Sequence, residues 1–327
     1  MLSFVDLAAR PEFTVSAVDC HDDHRGWSAE APRRDVRLVL VRSGGFRRRV
    51  RGVIADLDRT VGYLGLPGEE EQFAHPAGGD VCTSISLTAS LWRSLAGDDA
   101  RLGSSSVYVD ARLDLAHRRL LAATRARKAP ELALSLADTA SGAAPSPPDT
   151  ASGAAPSPPD AAFQAALSLA DTASESLVGL ASEVIRQVVA SPIPPDTGAG
   201  DQALVARARD AIASGDPAAA GLIPLAGLLG VSPYRLSRVF TRELGVSLTR
   251  YRNRVRVGAA LDRLEAGETS LSSLAADLGF ADQAHLSRTM REHLGHTPTA
   301  LRTLLRAAAA PSPRSSPSPS THRTAGR

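Results

Sequence analysis

The chain has 327 residues, of which 43% are hydrophobic, 22% charged and only 4% aromatic, and its formal net charge is +2. This length allows two domains joined by a linker, whereas two cysteines are too few for a disulfide framework. The N-terminal residues lack the apolar run of a signal peptide, and no stretch reaches the roughly 18 apolar residues that a membrane span needs. We therefore expect a cytoplasmic protein with no membrane partner.

The pattern of short β-strands dominates the first third of the chain. An apolar run at 36–41, the turn Ser43-Gly44-Gly45 and a return at 46–50 predict a hairpin. Further strands are predicted at 61–66, 72–74 and 81–87. Short strands separated by Gly and Pro turns at this spacing predict a small barrel or sandwich.

Residues 111–200 are expected to form a helical linker. Helical spacing at 113–127 and 163–189 flanks a low-complexity stretch at 138–160, in which DTASGAAPSPP occurs twice in tandem. A segment so rich in Ala, Pro, Ser and Gly cannot bury enough apolar surface to order itself. We expect a second stretch of this kind, the Pro- and Ser-rich residues 307–327, to form a disordered tail.

The region before this tail contains one helical pattern twice, about fifty residues apart. In each copy a short helix with apolar residues at i, i+3, i+4 and i+7 is followed by a second helix, over 233–244 and 282–294. The N-caps of the second helices are Ser232 and either Ala281 or Asp282. Glycines that favour the left-handed conformation end all four helices: Gly230, Gly245, Gly279 and Gly295. This is the spacing of a helix–turn–helix, present twice.

The outward faces of the two second helices carry side chains that hydrogen-bond base edges or phosphates. We expect the following residues to contact DNA: Tyr234, Arg235, Ser237, Arg238 and Arg242 in the first copy, and Gln283, His285, Ser287, Arg288 and Arg291 in the second. Arg238 and Arg288 are the residues predicted to read bases. The alternative is a set of core helices with solvated charges, but the duplication of the whole pattern favours DNA.

The connector between the two copies is predicted to be one helix over 248–266. Some nineteen residues at about 1.5 Å each span roughly 28 Å, which is of the order of one DNA turn. A rod of this length holds two helices over successive major grooves. Its arginines are Arg250, Arg252, Arg254 and Arg256, and residues 201–306 contain fourteen arginines against ten acidic residues. This excess of positive charge is typical of a phosphate-binding surface.

The stretch GFADQAHLSRTMREHLGHTPTALR closely resembles the C-terminal signature of the AraC/XylS family of bacterial transcription regulators, within a resemblance that covers about 205–305. It implies a seven-helix domain whose two recognition helices enter adjacent major-groove segments. Met290 and Leu301 stand where the family usually has Phe and Tyr, and both are apolar exchanges at core positions. The family's base-reading positions fall on Tyr234, Ser237 and Arg238, and on Gln283, His285, Ser287 and Arg288.

The N-terminal part resembles the cupin-like sensor barrel of the same family, through LVLVRSGGFRRRV, LPGEEEQFAHP and GGDVCTSISL. The resemblance implies that this part binds an effector or mediates dimerisation. Cys20-His21-Asp22-Asp23-His24, with His75 and Glu69 to Glu71, is a candidate metal site. Metal-binding cupins supply several histidines from two motifs, and here the second motif offers His75 alone. We therefore expect a surface strand or loop with solvated His and Asp, with no metal and no cofactor.

The sequence thus predicts an α+β multidomain protein: a cupin-like β barrel at 1–110, the helical linker, an AraC-type all-α DNA-binding domain at 201–306 and the tail. Its predicted function is that of a sequence-specific transcription regulator and not an enzyme. The expected partners are double-stranded promoter or operator DNA, a small effector, a second copy of the chain and RNA polymerase. The alternatives are a cupin-type metalloenzyme with an accessory DNA-binding module and a non-specific, nucleoid-type DNA binder.

Overall fold

The computed structural model describes residues 2–21, 25–32, 34–97, 106–124, 174–188 and 198–309. The predicted low-complexity stretch, most of the predicted tail and the beginning of the helix predicted at 163–189 lie outside these residues. Within the described ranges, no helix combines the length and the apolar character needed to cross a membrane.

The N-terminal half is built from antiparallel strands in two sheets. The strands are β1 (Leu2–Ala9), β2 (Phe13–Cys20), β3 (Ala31–Pro32), β4 (Val36–Ser43), β5 (Phe46–Val50), β6 (Val53–Leu57), β7 (Val61–Gly65), β8 (Glu70–Ala74), β9 (Asp80–Leu87) and β10 (Ser106–Tyr108). The larger sheet has the order β1-β2-β9-β4-β7-β10 and the smaller sheet the order β3-β8-β5-β6. The five strands predicted from the sequence are confirmed, and among the described residues they are joined as two sheets without a ladder that closes them into one barrel.

Two hydrophobic cores lie on opposite faces of the larger sheet, because side chains alternate between the faces along each strand. One core lies between the sheets and contains aromatic side chains, including Phe46, Tyr63 and the partly buried Phe73. The other lies under three helices: α1 (Ala89–Ala96), α2 (111–124) and α3 (174–188). This second core contains Leu38, Leu40 and Ile85 from the sheet, Trp92 from α1, Leu120 from α2 and Leu180 from α3.

The C-terminal half is all-helical, as predicted. Its helices are α4 (Ala199–Ala213), α5 (Leu222–Leu229), α6 (Pro233–Leu244), α7 (Leu248–Glu265), α8 (Leu271–Asp277), α9 (Gln283–Leu294) and α10 (Pro298–Ala309), with a 3₁₀ turn at Pro217–Ala220. Helices α5 and α6 form the first helix–turn–helix and α8 and α9 the second, so that α6 and α9 are the recognition helices. The connector α7 joins the two units, and its 18 residues span about 27 Å.

Each helix–turn–helix unit has its own core, and α7 contributes to both. Leu248 and Tyr251 of α7 pack in the core of the first unit. Val257, Leu261 and Leu264 pack in the core of the second. Because α7 is buried in both units, it holds them in a fixed relation to each other.

Candidate nucleic-acid interface

Local signals set the beginning and end of both recognition helices. The side chain of Ser232 accepts a hydrogen bond from the backbone N–H of Arg235 at 3.2 Å, and that of Asp282 accepts one from His285 at 2.6 Å. Gly245 and Gly295 end the helices with φ angles of 69° and 76°. The predicted caps are therefore confirmed, and of the two candidates for the second helix it is Asp282 that caps.

The apolar faces of the recognition helices are buried as their periodicity predicts. Leu236, Val239 and Phe240 of α6 are at most 5% exposed, and Leu286, Met290 and Leu294 of α9 lie in the core of the second unit. Burying these faces leaves the polar faces directed outward. Met290 and Leu301 are both fully buried, so the two departures from the family's usual residues are core exchanges.

On α6, the pair Tyr234 and Arg238 forms one exposed unit. The Nη1 atom of Arg238 donates a hydrogen bond to the Tyr234 hydroxyl at 2.6 Å, and its guanidinium lies 5.5 Å from the ring centroid. Tyr234 is 68% exposed, which is unusual for a tyrosine without a partner surface. Ser237 is half-buried between them and the core.

Two other predicted arginines of α6 are held by an acidic residue. Asp201 of α4 accepts hydrogen bonds from Arg235 at 3.0 Å and from Arg242 at 2.6 Å, and Arg242 also lies 3.3 Å from Glu243. The hydrogen bonds from Arg235 and Arg242 hold the pKa of the Asp201 carboxyl below its ordinary value. Sequence periodicity assigns these arginines to the outward face, but it gives no sign of this acidic partner.

On α9, the predicted residues differ in how they are engaged. Gln283, Arg288 and Arg291 are exposed, and none of them has a side-chain partner within the described ranges. His285 is half-buried: its Nδ1 atom accepts a hydrogen bond from the backbone of Ala281 at 3.2 Å, and its ring lies edge-on to Phe280 at 5.4 Å. The Nε2 atom is therefore the ring nitrogen that remains for an external contact. Ser287 is half-buried, as is Ser237 on α6.

The four arginines of α7 do not all face outward, and Arg254 is buried. This residue is 4% exposed, donates from Nε to the Val109 carbonyl at 2.7 Å, and forms an ion pair with Asp114 at 3.1 Å. The physical reason is helical spacing, because Arg254 lies three residues after the fully buried Tyr251. Arg252 donates to the Gly221 carbonyl at 2.8 Å, whereas Arg250 is exposed.

The buried face of α7 is the surface on which the N-terminal half docks. The Tyr251 hydroxyl hydrogen-bonds Thr60 at 2.9 Å. Asp262 accepts from Arg59 at 2.9 Å and from Arg118 at 2.6 Å. Arg118 of α2 also donates to Glu265 at 2.7 Å. Ala111 and Leu115 of α2 complete the contact, since both belong to the core of the second helix–turn–helix unit.

Opposite charges stabilise the ionised carboxylates at this contact. Burial alone would raise the pKa of Asp114, but Arg254 and Arg118 hold it below the ordinary value of an aspartate. Burial acts in the same direction on Asp262, and its pKa is lowered by Arg59 and Arg118. Both carboxylates therefore remain ionised and paired at neutral pH.

The candidate metal ligands do not all lie on the solvated surface strand or loop that the sequence predicts. His21 is exposed and lies 3.2 Å from Asp19, and Asp22 to His24 lie outside the described ranges. Glu69 and Glu71 pair with Arg48. Cys20 and His75, however, are 4% and 8% exposed and approach Asp80. Cys20 pairs with Asp80 in the ladder between β2 and β9, and both residues are buried.

Comparisons with known proteins identify the C-terminal region. Residues 225–303 match a family model described as a helix-turn-helix domain. The C-terminal domain of AraT, a response regulator from Geobacillus stearothermophilus, is 29% identical over 31% of this chain and 84% of its own, with a TM-score of 0.29. The search of curated proteins finds no significant match.

Two further solved structures are similar at lower identity. ToxT from Vibrio cholerae strain SCE256, bound to an unsaturated fatty acid, covers 92% of this chain and 98% of its own, with 13% identity and a TM-score of 0.29. A cupin superfamily protein from Desulfitobacterium hafniense DCB-2 covers 27% of this chain and 78% of its own, with 15% identity and a TM-score of 0.24. TM-scores of this size do not establish a common overall structure, so the identification rests on residues 225–303.

Two helix–turn–helix units that share one buried connector, each with a capped helix whose polar face is exposed, define a DNA-binding domain. The match over residues 225–303 agrees with this geometry. The chain carries at its C-terminus a helix–turn–helix domain of the AraC type.

Proposed function

We propose that the protein is a sequence-specific transcription regulator and not an enzyme, and that it acts on promoter DNA in the cytoplasm. The observation that carries this proposal is the pair of exposed polar faces on α6 and α9, held at the two ends of one connector. The unpartnered side chains of Gln283, Arg288 and Arg291 on α9, and the Tyr234–Arg238 unit on α6, are available to base edges and phosphates.

Control of DNA binding is proposed to come from the N-terminal half, through its contact with α7. Arg118, Asp114, Arg254 and Asp262 form one charge network across this contact, in which Asp262 is partly exposed. A cavity of about 320 Å³ lies beside it, with His117, Arg118, Asp262 and Glu265 in its wall. A small polar effector in this cavity would contact the sheet, α2 and α7 together. A second copy of the chain and RNA polymerase are the further partners of this proposal.

The experiment compares Arg238→Ala and Arg288→Ala in the full chain, with an operator selected from a random DNA library. Each substitution should weaken operator binding by about 5- to 150-fold, which corresponds to the roughly 1–3 kcal/mol of a bidentate base contact. Arg119→Ala is the matched control, because it removes the same charge from an exposed position on α2. Mobility-shift titrations measure the affinity, and circular dichroism checks the fold. Unchanged operator affinity in both variants would refute the assignment of α6 and α9.

A competition assay separates a sequence-specific regulator from a nucleoid-type binder. At physiological salt the full chain should prefer the selected operator over random DNA by about 10³-fold or more, because non-specific binding rests on phosphate contacts alone. Equal competition by random DNA would favour the non-specific binder.

A further inference from the structure

Three buried side chains with metal-ligating atoms meet inside the N-terminal half. Cys20 is the last residue of β2, Asp80 is the first residue of β9, and His75 directly follows β8. One ligand atom from each lies within 4.8 Å of the other two. All three residues are at most 8% exposed. The cluster is unrelated to the recognition helices and to the contact on α7.

The backbone holds this arrangement in place. Cys20 and Asp80 are direct partners in the antiparallel ladder between β2 and β9. The chain returns from His75 to Asp80 through a tight turn, in which Gly78 has a φ angle of 100° and its N–H donates to the His75 carbonyl at 3.3 Å. A Cβ atom on Gly79 would lie 2.1 Å from the Cys20 carbonyl oxygen. Glycine at this position therefore permits the close approach that brings the three side chains together.

The hydrogen bonding of Asp80 indicates a cation. Its Oδ1 atom lies 2.9 Å from His75 Nε2, yet it has no hydrogen-bond partner within the described ranges. Its Oδ2 atom accepts from the Cys82 thiol at 2.7 Å. An imidazole nitrogen and a carboxylate oxygen that face each other at this distance are held either by a proton between them or by one bound cation.

Other buried carboxylates in the chain have arginine partners. Glu71 pairs with Arg48 at 2.7 Å, and Asp114 pairs with Arg254 at 3.1 Å. Within the described ranges no arginine forms an ion pair with Asp80. Among the described residues the ion-pair partner of Asp80 is His75, which is charged only when protonated, and a metal ion would stabilise the buried carboxylate without that proton.

We propose that Cys20, His75 and Asp80 bind one Zn²⁺ ion. Sulfur, imidazole and carboxylate together form the donor set that zinc accepts, and the thiolate disfavours Mg²⁺ and Ca²⁺. Bond lengths of about 2.0–2.3 Å place tetrahedral donors roughly 3.3–3.8 Å apart, so the side chains need to shift by less than about 1 Å. On binding, the Cys20 thiol proton passes to solvent and a zinc–thiolate bond forms.

Cys82 acts as a positioning residue in this proposal, because its hydrogen bond orients the Asp80 carboxylate. The three proposed ligands line a cavity of about 240 Å³. The wall of this cavity also contains Val39, Phe46, Tyr63 and Phe73. A ligand at the fourth position would therefore be small and partly apolar.

The test uses the reduced full-length chain, cleared of metal with a chelator and titrated with Zn²⁺ and, separately, with Co²⁺. We expect one equivalent of zinc to bind and the cobalt form to show a thiolate-to-metal charge-transfer band. The whole chain contains two cysteines, Cys20 and Cys82. The band in the wild-type protein therefore reports on this cluster even where a variant fails to fold.

Cys20→Ser and His75→Ala should abolish stoichiometric binding and the charge-transfer band. His21→Ala is the control, because it removes an exposed histidine nearby, and it should bind one equivalent. Cys82→Ser keeps a hydroxyl that donates to Asp80, so it should bind zinc more weakly but retain the charge-transfer band of the Cys20 thiolate. Absence of stoichiometric zinc binding by the wild-type chain, or a cobalt form without the band, would overturn the proposal. Loss of the band in Cys82→Ser would overturn this ligand set in favour of one in which Cys82 coordinates.

Discussion

The arginines of the C-terminal half differ in the groups that their side chains bind. Arg288 is exposed and unpaired within the described ranges, whereas Arg235 and Arg242 are bound to Asp201. Arg254 is buried and belongs to the contact with the N-terminal half. An arginine without an intramolecular partner can turn to DNA at no electrostatic cost, and Asp201 competes with phosphate for the two arginines that it binds.

Asp201→Asn should raise the affinity for DNA. The substitution removes one negative charge beside α6 and releases Arg235 and Arg242 to contact phosphates. We expect tighter binding to operator and random DNA alike at low salt, and a steeper dependence of log K on log salt by about one phosphate contact for each released arginine. Mobility-shift titrations over a salt series measure the slope. Asp210→Asn, an exposed exchange on the same helix, is the control, and equal slopes for both variants would contradict the competition between Asp201 and phosphate.

At the scale of single elements, glycine ends the helices that carry the interface. Gly230 ends α5 with a φ angle of 69°, and the N–H of the next residue, Val231, donates to the Ala226 carbonyl at 3.0 Å. A residue with a Cβ atom is strained in this conformation. The turn between α5 and α6 therefore depends on glycine for its backbone and not for its packing, because an added Cβ on Gly230 would meet no atom within 4 Å.

Two substitutions three residues apart should change stability in opposite directions. Gly230→Ala should lower the free energy of unfolding by about 1–2 kcal/mol through left-handed strain. Gly227→Ala lies inside α5, has open space around an added Cβ, and should raise stability by about 0.5–1 kcal/mol through helix propensity. Urea unfolding followed by circular dichroism measures both. A stabilising effect of Gly230→Ala would show that the turn does not require the left-handed conformation.

The helices of the C-terminal half could be predicted because their signals are local. The apolar spacing, the caps at Ser232 and Asp282 and the glycine ends each lie within a few residues of the element that they define. Strand β1 lacks such a signal, because most of its residues are exposed and its sequence does not alternate. The burial of Cys20 has no local signal either, because its partner in the ladder, Asp80, lies sixty residues away in sequence.

The candidate interface could be predicted only in part. Helical periodicity assigned Arg288 and Arg235 to outward faces, and both are exposed. Periodicity could not show that Arg235 is bound to Asp201 while Arg288 is unpaired within the described ranges, because Asp201 lies 34 residues before Arg235. Helical spacing from Tyr251 turns Arg254 inward, but its ion-pair partner Asp114 lies on an element far away in sequence. Electrostatic partners brought together by the tertiary fold leave no pattern in a short stretch of sequence.

At the scale of the whole molecule, the N-terminal half docks on the helix that joins the two DNA-reading units. Tyr251, Arg254 and Asp262 of α7 each bind a residue of the N-terminal half. The charge network that centres on Asp114 and Arg118 is buried, so breaking it leaves charges without partners. The stability of this contact is therefore linked to pH.

Acid should weaken the contact through Asp114. Its pKa in the folded chain is below the unfolded value of about 3.9, so its contribution is complete above that pH and is lost as the pH falls through the folded pKa. Asp114→Asn should thus be less stable than the wild type at neutral pH, and the difference should shrink on acidification. Urea unfolding between about pH 7 and pH 3 measures this difference. A gap between wild type and variant that stays constant over this range would contradict the paired, ionised state of Asp114.

The double use of α7 has a consequence for operator choice. The helix that sets the separation of α6 and α9 is also the helix that supports the N-terminal sheet. Any signal that bends or turns it changes the angular phase between the two reading units around the duplex, and leaves the base preference of each unit as it was. The protein would then change its relative affinity for operators that differ only in the number of base pairs between the segment bound by α6 and the segment bound by α9.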